Sequence, residues 1–342
     1  MKSNRVFFFF ALLLTIGSLS ADTTHSKSPM QDATKTQEPQ LPEAEANAAN
    51  AVSKAPDMAG KLVAAEAFIK KYPKSSVRAK LADYLVGQID SGTDATQKLA
   101  HAETFQRVFT AETEKAAIQP VVILAYVQAK RVDEAFALAE RVLAKDPENI
   151  RVLAHMAMTG TDEAKRQNMK HAAQTRQYGL KAIELLEANR KPATVDDTLW
   201  NGYKESLPRL YQSIGVMALV SGNQADAKAH LQKSATLDPT DPFNYVLIGS
   251  MVNDEYQQLA QSYKGMPEGP QKQETLKKAT ELLDKVIDLY ARAVGASQGK
   301  QEYQALHVQV LQDLTPYYKY RHNGSVEGLQ QLIDKYKPTP KP

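Results

Sequence analysis

Two prolines, Pro208 and Pro239, bracket a set of small and large residues whose spacing restricts this chain more than any other feature. Tyr211, Ile214, Gly215 and Ala218 precede a Gly222-Asn223 turn, and Ala227 and Leu231 follow it. After Asp238-Pro239-Thr240-Asp241-Pro242 the order restarts with Tyr245, Ile248 and Gly249. Residues three and four apart share one face of a helix, so the spacing predicts two helices joined by a tight turn. A pair this small leaves one apolar face uncovered, and stacking the next pair against it buries that face. Where helices cross, the backbones approach at a small residue such as Ala227, and Tyr211 and Leu231 fill the space around it. Proline ends each second helix because it cannot continue one and restricts the residue before it.

The same grammar recurs upstream. Val122, Ala125 and Tyr126 lead into a Lys130-Arg131 turn, Ala135, Ala139 and Val142 follow, and Asp146-Pro147-Glu148-Asn149 closes the unit. Leu62, Ala65, Phe68, Ile69 and Tyr72 mark a helix ended by Pro73; Leu81, Ala82 and Leu85 mark another; and after a Gly92-Thr93 turn Ala95, Leu99 and Ala102 begin a third. Two stretches predict longer helices. Between Ile150 and Asn189 the second helix is expected to exceed a standard unit, with Met169, Ala173, Leu180, Ile183 and Leu186 on one stripe. Tyr256 to Tyr263 prolongs another, Gly265-Met266-Pro267-Glu268-Gly269-Pro270 breaks it, and a long helix carries Leu276, Ala279, Leu283, Val286, Ile287 and Tyr290.

These residues resemble tetratricopeptide repeat (TPR) proteins of the secreted or periplasmic bacterial type, with Tyr126, Ala135, Pro147, Tyr211, Gly215, Ala227, Leu231, Pro239, Tyr245 and Gly249 as the repeat-defining positions. The resemblance implies an all-α fold, an α-solenoid coiled as a right-handed superhelix of roughly six helix pairs, some elongated, over residues 57–338, with a short tail at 339–342. Phe68 to Ser75, a Phe-x-x-x-Tyr-Pro-x-Ser pattern, is also similar to the TPR lipoprotein of the outer-membrane barrel-assembly machine, but the cysteine that would be acylated is lacking. The family implies a protein or peptide partner in the inner groove. The candidate groove residues are Arg209, Gln212, Val216, Leu219, Phe243, Val246, Ser250 and Asn253. They are mostly apolar or neutral, unlike the lysines and asparagines with which chaperone-binding TPR domains hold an acidic C-terminus.

At the N-terminus Lys2 and Arg5 precede the apolar run Val6 to Leu14 and small residues follow, the pattern of a signal peptide over residues 1–21. The run falls short of the ~20 residues that span a bilayer. Export to the periplasm or beyond is the expectation; the alternative is a retained N-terminal anchor. Residues 22–56 are rich in Thr, Ala, Pro and Gln and poor in large apolar residues, which predicts a disordered leader. There is no cysteine, hence no disulfide and no thiolate metal site. Of 42 basic residues the first 21 positions hold only Lys2 and Arg5, so 40 bases would face 39 acids after cleavage. That balance makes no electrostatic case for nucleic acid or for a membrane surface.

The sequence carries no His-Glu-x-x-His, no Gly-x-Ser-x-Gly and no phosphate-cradling glycine loop. The seven histidines, His25, His101, His155, His171, His230, His307 and His322, are scattered, and Asp196-Asp197 and Asp254-Glu255 fit helix starts and solvated faces better than ligands. No catalytic residue, cofactor or metal is therefore expected. The only tryptophan, Trp200, lies with Leu199 and Tyr203 on what reads as one long helix bent at Pro208, as a core filler. Near the C-terminus Tyr317, Tyr320 and Arg321 offer a second candidate partner patch, and Ser325 suits the N-cap of a closing helix with Leu329, Leu332, Ile333 and Tyr336 on one side. The sequence points to a non-catalytic interaction scaffold or adaptor of the bacterial envelope; the alternative is an accessory subunit that docks an envelope enzyme or outer-membrane assembly machine.

Overall fold

The computed structural model describes residues 41–193 and 195–338; the expected signal peptide, the first part of the leader and the tail lie outside them. The chain divides into two units, Met1–Glu43 and Ala44–Pro342, and the repeats belong to the second. Its helices are α1 (Glu43–Lys54), α2 (Met58–Lys71), α3 (Arg78–Ser91), α4 (Ala95–Val108), α5 (Glu112–Gln128), α6 (Val132–Lys145), α7 (Ile150–Lys165) and α8 (Ala172–Glu187). They continue with α9 (Asp197–Glu205), α10 (Leu207–Val220), α11 (Gln224–Leu237), α12 (Pro242–Lys264), α13 (Pro270–Ser297), α14 (Gln304–Arg321) and α15 (Leu329–Asp334), with a 3-10 turn at Gln301–Tyr303 before α14. No strand occurs among the described residues.

Local chemistry sets the starts. Asp57, Asp94, Asn149, Asp196, Asn223 and Asp241 each accept a bond from a backbone N–H in the first turn of α2, α4, α7, α9, α11 and α12. Gly222 turns α10 into α11 with φ at 79°, a conformation in which a Cβ is strained.

Consecutive helices then pack in pairs, α3 on α4, α5 on α6, α7 on α8, α10 on α11 and α12 on α13, and the leading helices α3, α5, α7 and α10 touch in series. This is a TPR-like α-solenoid. The crossings are tight at glycine: a Cβ at Gly215 would stand 2.7 Å from Leu231 Cγ, and one at Gly249 would stand 2.6 Å from the Tyr290 ring. Ala135 and Ala227, the small residues read from the sequence, are fully buried, and Tyr211, Leu231 and Tyr245 pack among the buried residues around them. Pro147 and Pro239 follow the last residues of α6 and α11. Tyr126 is half-buried with the Arg131 guanidinium 4.5 Å above its ring.

Two apolar cores run through the stack. The first extends from Val52 to Ile214 and the second from Ala218 to Ile333, so α10 gives Leu210, Tyr211 and Ile214 to one and Ala218 to the other. In the first core, Arg78 on α3 holds Glu114 on α5 through two hydrogen bonds of 2.5 and 2.9 Å. Glu114 also accepts from the Ala111 N–H, and its carboxyl lies below the usual range because the Arg78 guanidinium bonds it.

Several expectations need correction. The leader stops short of residue 56: Glu43–Lys54 is helical, and Val52 is buried with Ala48 and Ala49 packed on the first core. The second helix between Ile150 and Asn189 is not long; α7 and α8 have 16 residues each, and Met169 lies in the turn between them, where Gln167 takes a left-handed φ of 68°. Trp200 is on a separate helix: α9 ends before Ser206 and Pro208 sits in the first turn of α10, where its missing N–H costs nothing. It is a core filler, 3% exposed, its indole N–H donating to Asn189 Oδ1. Ser325 does not cap α15: its hydroxyl accepts from the Glu327 N–H in a local turn, and Gly328 precedes the helix. The closing helix packs on α13, where Ile333 and Tyr336 lie over Gly295, and the Tyr318 hydroxyl of α14 donates to the Glu327 carbonyl just before it.

Candidate functional site

The leading helices present one continuous face, and its curvature is visible in a single ion pair. Asp90 on α3 takes both its bonds, each 2.7 Å, from Arg151 on α7, although α5 lies between those helices in the row. Side chains two helices apart meet only if the face bends inward. His155, one turn beyond Arg151, sits beside this pair, and its burial and the Arg151 charge lower its pKa to about 4. Tyr203 of α9 lies close to both Asp90 and Arg151, with its hydroxyl pushed up by burial. The segment between α8 and α10 thus brings Tyr203 of α9 beside the Asp90–Arg151 pair.

In the C-terminal half the inner face is formed by α10, α12 and α14. At its near end Gln212 donates to Asp241 Oδ2 at 2.6 Å and to Asn244 Oδ1 at 3.2 Å, tying α10 to the start of α12. Burial raises the Asp241 carboxyl, against the pull of the Phe243 N–H and the Gln212 amide. Arg209 is exposed and close enough to affect both Asp241 and Tyr303. Phe243 meets Tyr303 edge to face at 5.6 Å, and the Lys300 ammonium donates to the Thr240 carbonyl at 2.8 Å. Tyr303 is itself pushed up to about 12, chiefly by burial.

The far end is aromatic. Tyr317 on α14 packs against Tyr256 on α12 and Tyr290 on α13, with centroid distances of 6.2 and 6.5 Å, and accepts from Gln257 Nε2.

The sequence candidates divide accordingly. Arg209, Gln212 and Phe243 come together around Asp241. Val216 is buried, and Leu219 and Val246 pack on the second core, so these three serve folding. Ser250 turns its hydroxyl back to the Leu247 carbonyl, while the Oδ1 of Asn253 is buried with no hydrogen-bond partner. Of the C-terminal candidates, Tyr317 packs on Tyr256 and Tyr290, Arg321 is held by both oxygens of Asp284 on α13, and Tyr320 is 74% exposed. Asp241, Tyr256, Tyr290 and Tyr303 were missed as groove residues. Asp241 was legible only as a boundary acid, and the tyrosines only as stripe positions.

Among the described residues no group of three or more His, Asp or Glu side chains is arranged to hold a metal ion, and no helix is long and apolar enough to cross a membrane. A shallow hollow along α8, lined by Arg176, Gln177, Lys181 and Glu184, is one helix face without converging groups, and Arg176 there is already paired with Asp226.

No protein-family model and no curated protein matches the sequence. Among solved structures the chain is similar to PilF of Pseudomonas aeruginosa, at 14% identity and a TM-score of 0.36 over 86% of this chain and 100% of that one. It is similar to a tetratricopeptide repeat protein from Parabacteroides merdae, at 12% and 0.38 over 79% and 98%. A monomeric mutant of IFIT1 with m7Gppp-AAAA follows at 14% and 0.31, over 86% and 74%. The solenoid assignment rests on the helix pairing in the chain itself.

Proposed function

We propose that this chain is a non-catalytic protein-interaction scaffold of the bacterial cell envelope, and that it holds its partner on the inner face of α10, α12 and α14. One observation carries the choice of face: in the N-terminal half Tyr203 of α9 lies beside the Asp90–Arg151 pair, whereas in the C-terminal half Arg209 is exposed without an ion pair and the rings of Phe243, Tyr256 and Tyr317 are only half-buried. Half-buried aromatics beside exposed polar groups suit a protein interface, where aromatic and arginine side chains supply most of the binding energy. The basic start, short apolar run and small residues of positions 1–21 support export.

The test is site-specific photo-crosslinking in intact cells, with a benzophenone amino acid at Phe243 on the inner face or at Leu276, an exposed residue of α13. Adducts of defined mass at position 243 and none at 276 are expected; the reverse pattern would reject this face. Export is tested in the same cells by osmotic-shock release and N-terminal sequencing, with a start at Ala21 or Asp22 expected. Recovery of Met1 would reject cleavage and make the first segment an anchor.

A further inference from the structure

The far end of the inner face has a chemistry distinct from the near end. Tyr256 on α12, Tyr317 on α14 and Tyr290 from α13 form one cluster, with Tyr256 and Tyr317 perpendicular. Tyr320 lies near enough for its hydroxyl to affect that of Tyr256. Asp313 stands one turn before Tyr317 on α14, and Asp254 on α12 and Asp313 are both close enough to act on the Tyr290 hydroxyl. Burial alone raises the Asp254 carboxyl, with no cation lowering it, and no described residue bonds it. Asp313 accepts only from Gln309 of its own helix. Asn253, one residue before Asp254, contributes the unpartnered amide oxygen.

Among the described residues no cation pairs with Asp254 or Asp313. Arg321 is on Asp284 and Lys228 is on Glu255. What remains is a set of acceptors and electron-rich ring faces with no cation bonded to the two carboxylates.

Resting on the scaffold reading above, we infer that this end of the inner face is a subsite for a basic side chain, arginine or lysine, of the protein partner. The cation would stack over the Tyr256, Tyr317 and Tyr320 rings and bond to the Asp254 and Asp313 carboxylates. Rings of this kind attract cations through their quadrupole, and a guanidinium serves stacking and paired carboxylates together. Charge complementarity selects the occupant: an acidic segment would meet two carboxylates, and an apolar one would leave them unpaired.

The full-length chain is titrated by calorimetry with three capped hexapeptides, acetyl-(Gly-Arg)3-amide, acetyl-(Gly-Gln)3-amide and acetyl-(Gly-Glu)3-amide. The arginine peptide should bind at least ten-fold tighter than the other two, weakening as salt rises. The double variant Asp254→Asn/Asp313→Asn, nearly isosteric, should lose at least five-fold in affinity for the arginine peptide with an unchanged melting temperature. Tyr320→Ala, at an exposed position, should lose affinity likewise. Equal binding of the arginine and glutamine peptides, or undiminished binding by the double variant, would overturn the subsite. Spermidine displacing the peptide at equal concentration would assign the site to a small polyamine and also overturn it. If Phe243 still gives crosslinks while the peptides do not discriminate, the scaffold reading stands and only this inference fails.

Discussion

The sharpest test of the stack is a single methyl group at Gly160. This glycine of α7 lies against α8, and a Cβ there would stand 1.7 Å from Thr175 Oγ1, 2.8 Å from its Cβ and 2.9 Å from its Cγ2. Thr175 is fully buried and its hydroxyl donates to the His171 carbonyl at 2.7 Å, so it cannot swing aside without losing that bond. Two effects of opposite sign compete in Gly160→Ala. Helix propensity favours alanine by about 0.8–1.0 kcal/mol. Overpacking a core costs about 1–3 kcal/mol, and three contacts below 3.0 Å put this site at the upper end. The net expectation is destabilisation by about 2 kcal/mol, or a melting temperature lower by roughly 3 °C for a unit as long as Ala44–Pro342.

Thermal melts followed by far-UV circular dichroism measure it, with Gly87→Ala as control. Gly87 lies in α3 with nothing within 4 Å of a Cβ, so that variant should gain about 0.4–1 kcal/mol. Moving the glycine to the other helix, in Gly160→Ala/Thr175→Gly, should recover part of the loss seen in Gly160→Ala alone, a coupling of about 1–2 kcal/mol. A Gly160→Ala protein that melts at or above the parent would refute the contact between α7 and α8 and the pairing built on it.

Three further outcomes follow from the same structure. Ala227→Leu, at a fully buried crossing of α11, should cost about 1–3 kcal/mol in the same melts, and no change would show the helix register to be wrong. His155 binds its proton only near pH 4 when folded but near 6.5 when unfolded, so the unfolded state takes up more protons between those values and stability must fall as pH drops from 6.5 to 4; urea denaturation should show the parent losing about 1–3 kcal/mol more than His155→Gln over that window, and equal losses would contradict the buried neutral imidazole. Deleting residues 325–342 removes the buried Leu329 and Ile333 and the bond from the Tyr318 hydroxyl to the Glu327 carbonyl, leaving α13 open at Gly295; each large side chain lost forfeits about 1.5–3 kcal/mol, so melting should fall and self-association rise, and an unchanged monomer would deny the capping role.

The regular units were legible because each feature there has a local cause. Asn223 caps, Gly222 turns, Ala227 yields space and Pro239 stops, all within a short span. What escaped has causes that are local but weak, or strong but distant. α1 reads as a polar alanine-rich leader because a single buried valine with two alanines beside it holds it to the core. The break between α7 and α8 is made at Gln167 and the break between α9 and α10 at Ser206, neither a breaker by composition. Conversely α5 and α14 run through Pro120 and Pro316, where packing outweighs the missing N–H.

The site was less legible than the fold for a related reason. Its chemistry is set by pairs far apart in sequence: Asp90 with Arg151, Gln212 with Asp241, Arg321 with Asp284. No spacing rule links such positions. Arg321 thus looked like part of a partner patch until α13 supplied the Asp284 carboxylate, and the neutral groove read from eight residues gained acids from neighbouring positions.

Pairing also separates the two halves of the inner face by use. In the N-terminal half the charged groups near the concave side are matched within the fold, Asp90 by Arg151, and α9 brings Tyr203 onto them. A partner docking there would have to part an ion pair whose two side chains are each about one-third exposed, leaving charges to be satisfied anew. In the C-terminal half Arg209 and Asp254 make no ion pair with any described residue, and the rings of Phe243, Tyr256 and Tyr317 are only half covered. A partner there adds pairs without breaking any. Since α10 supplies the inner surface at Gln212 and belongs to both cores, docking at that end would stiffen the one helix through which the two halves of the stack are joined.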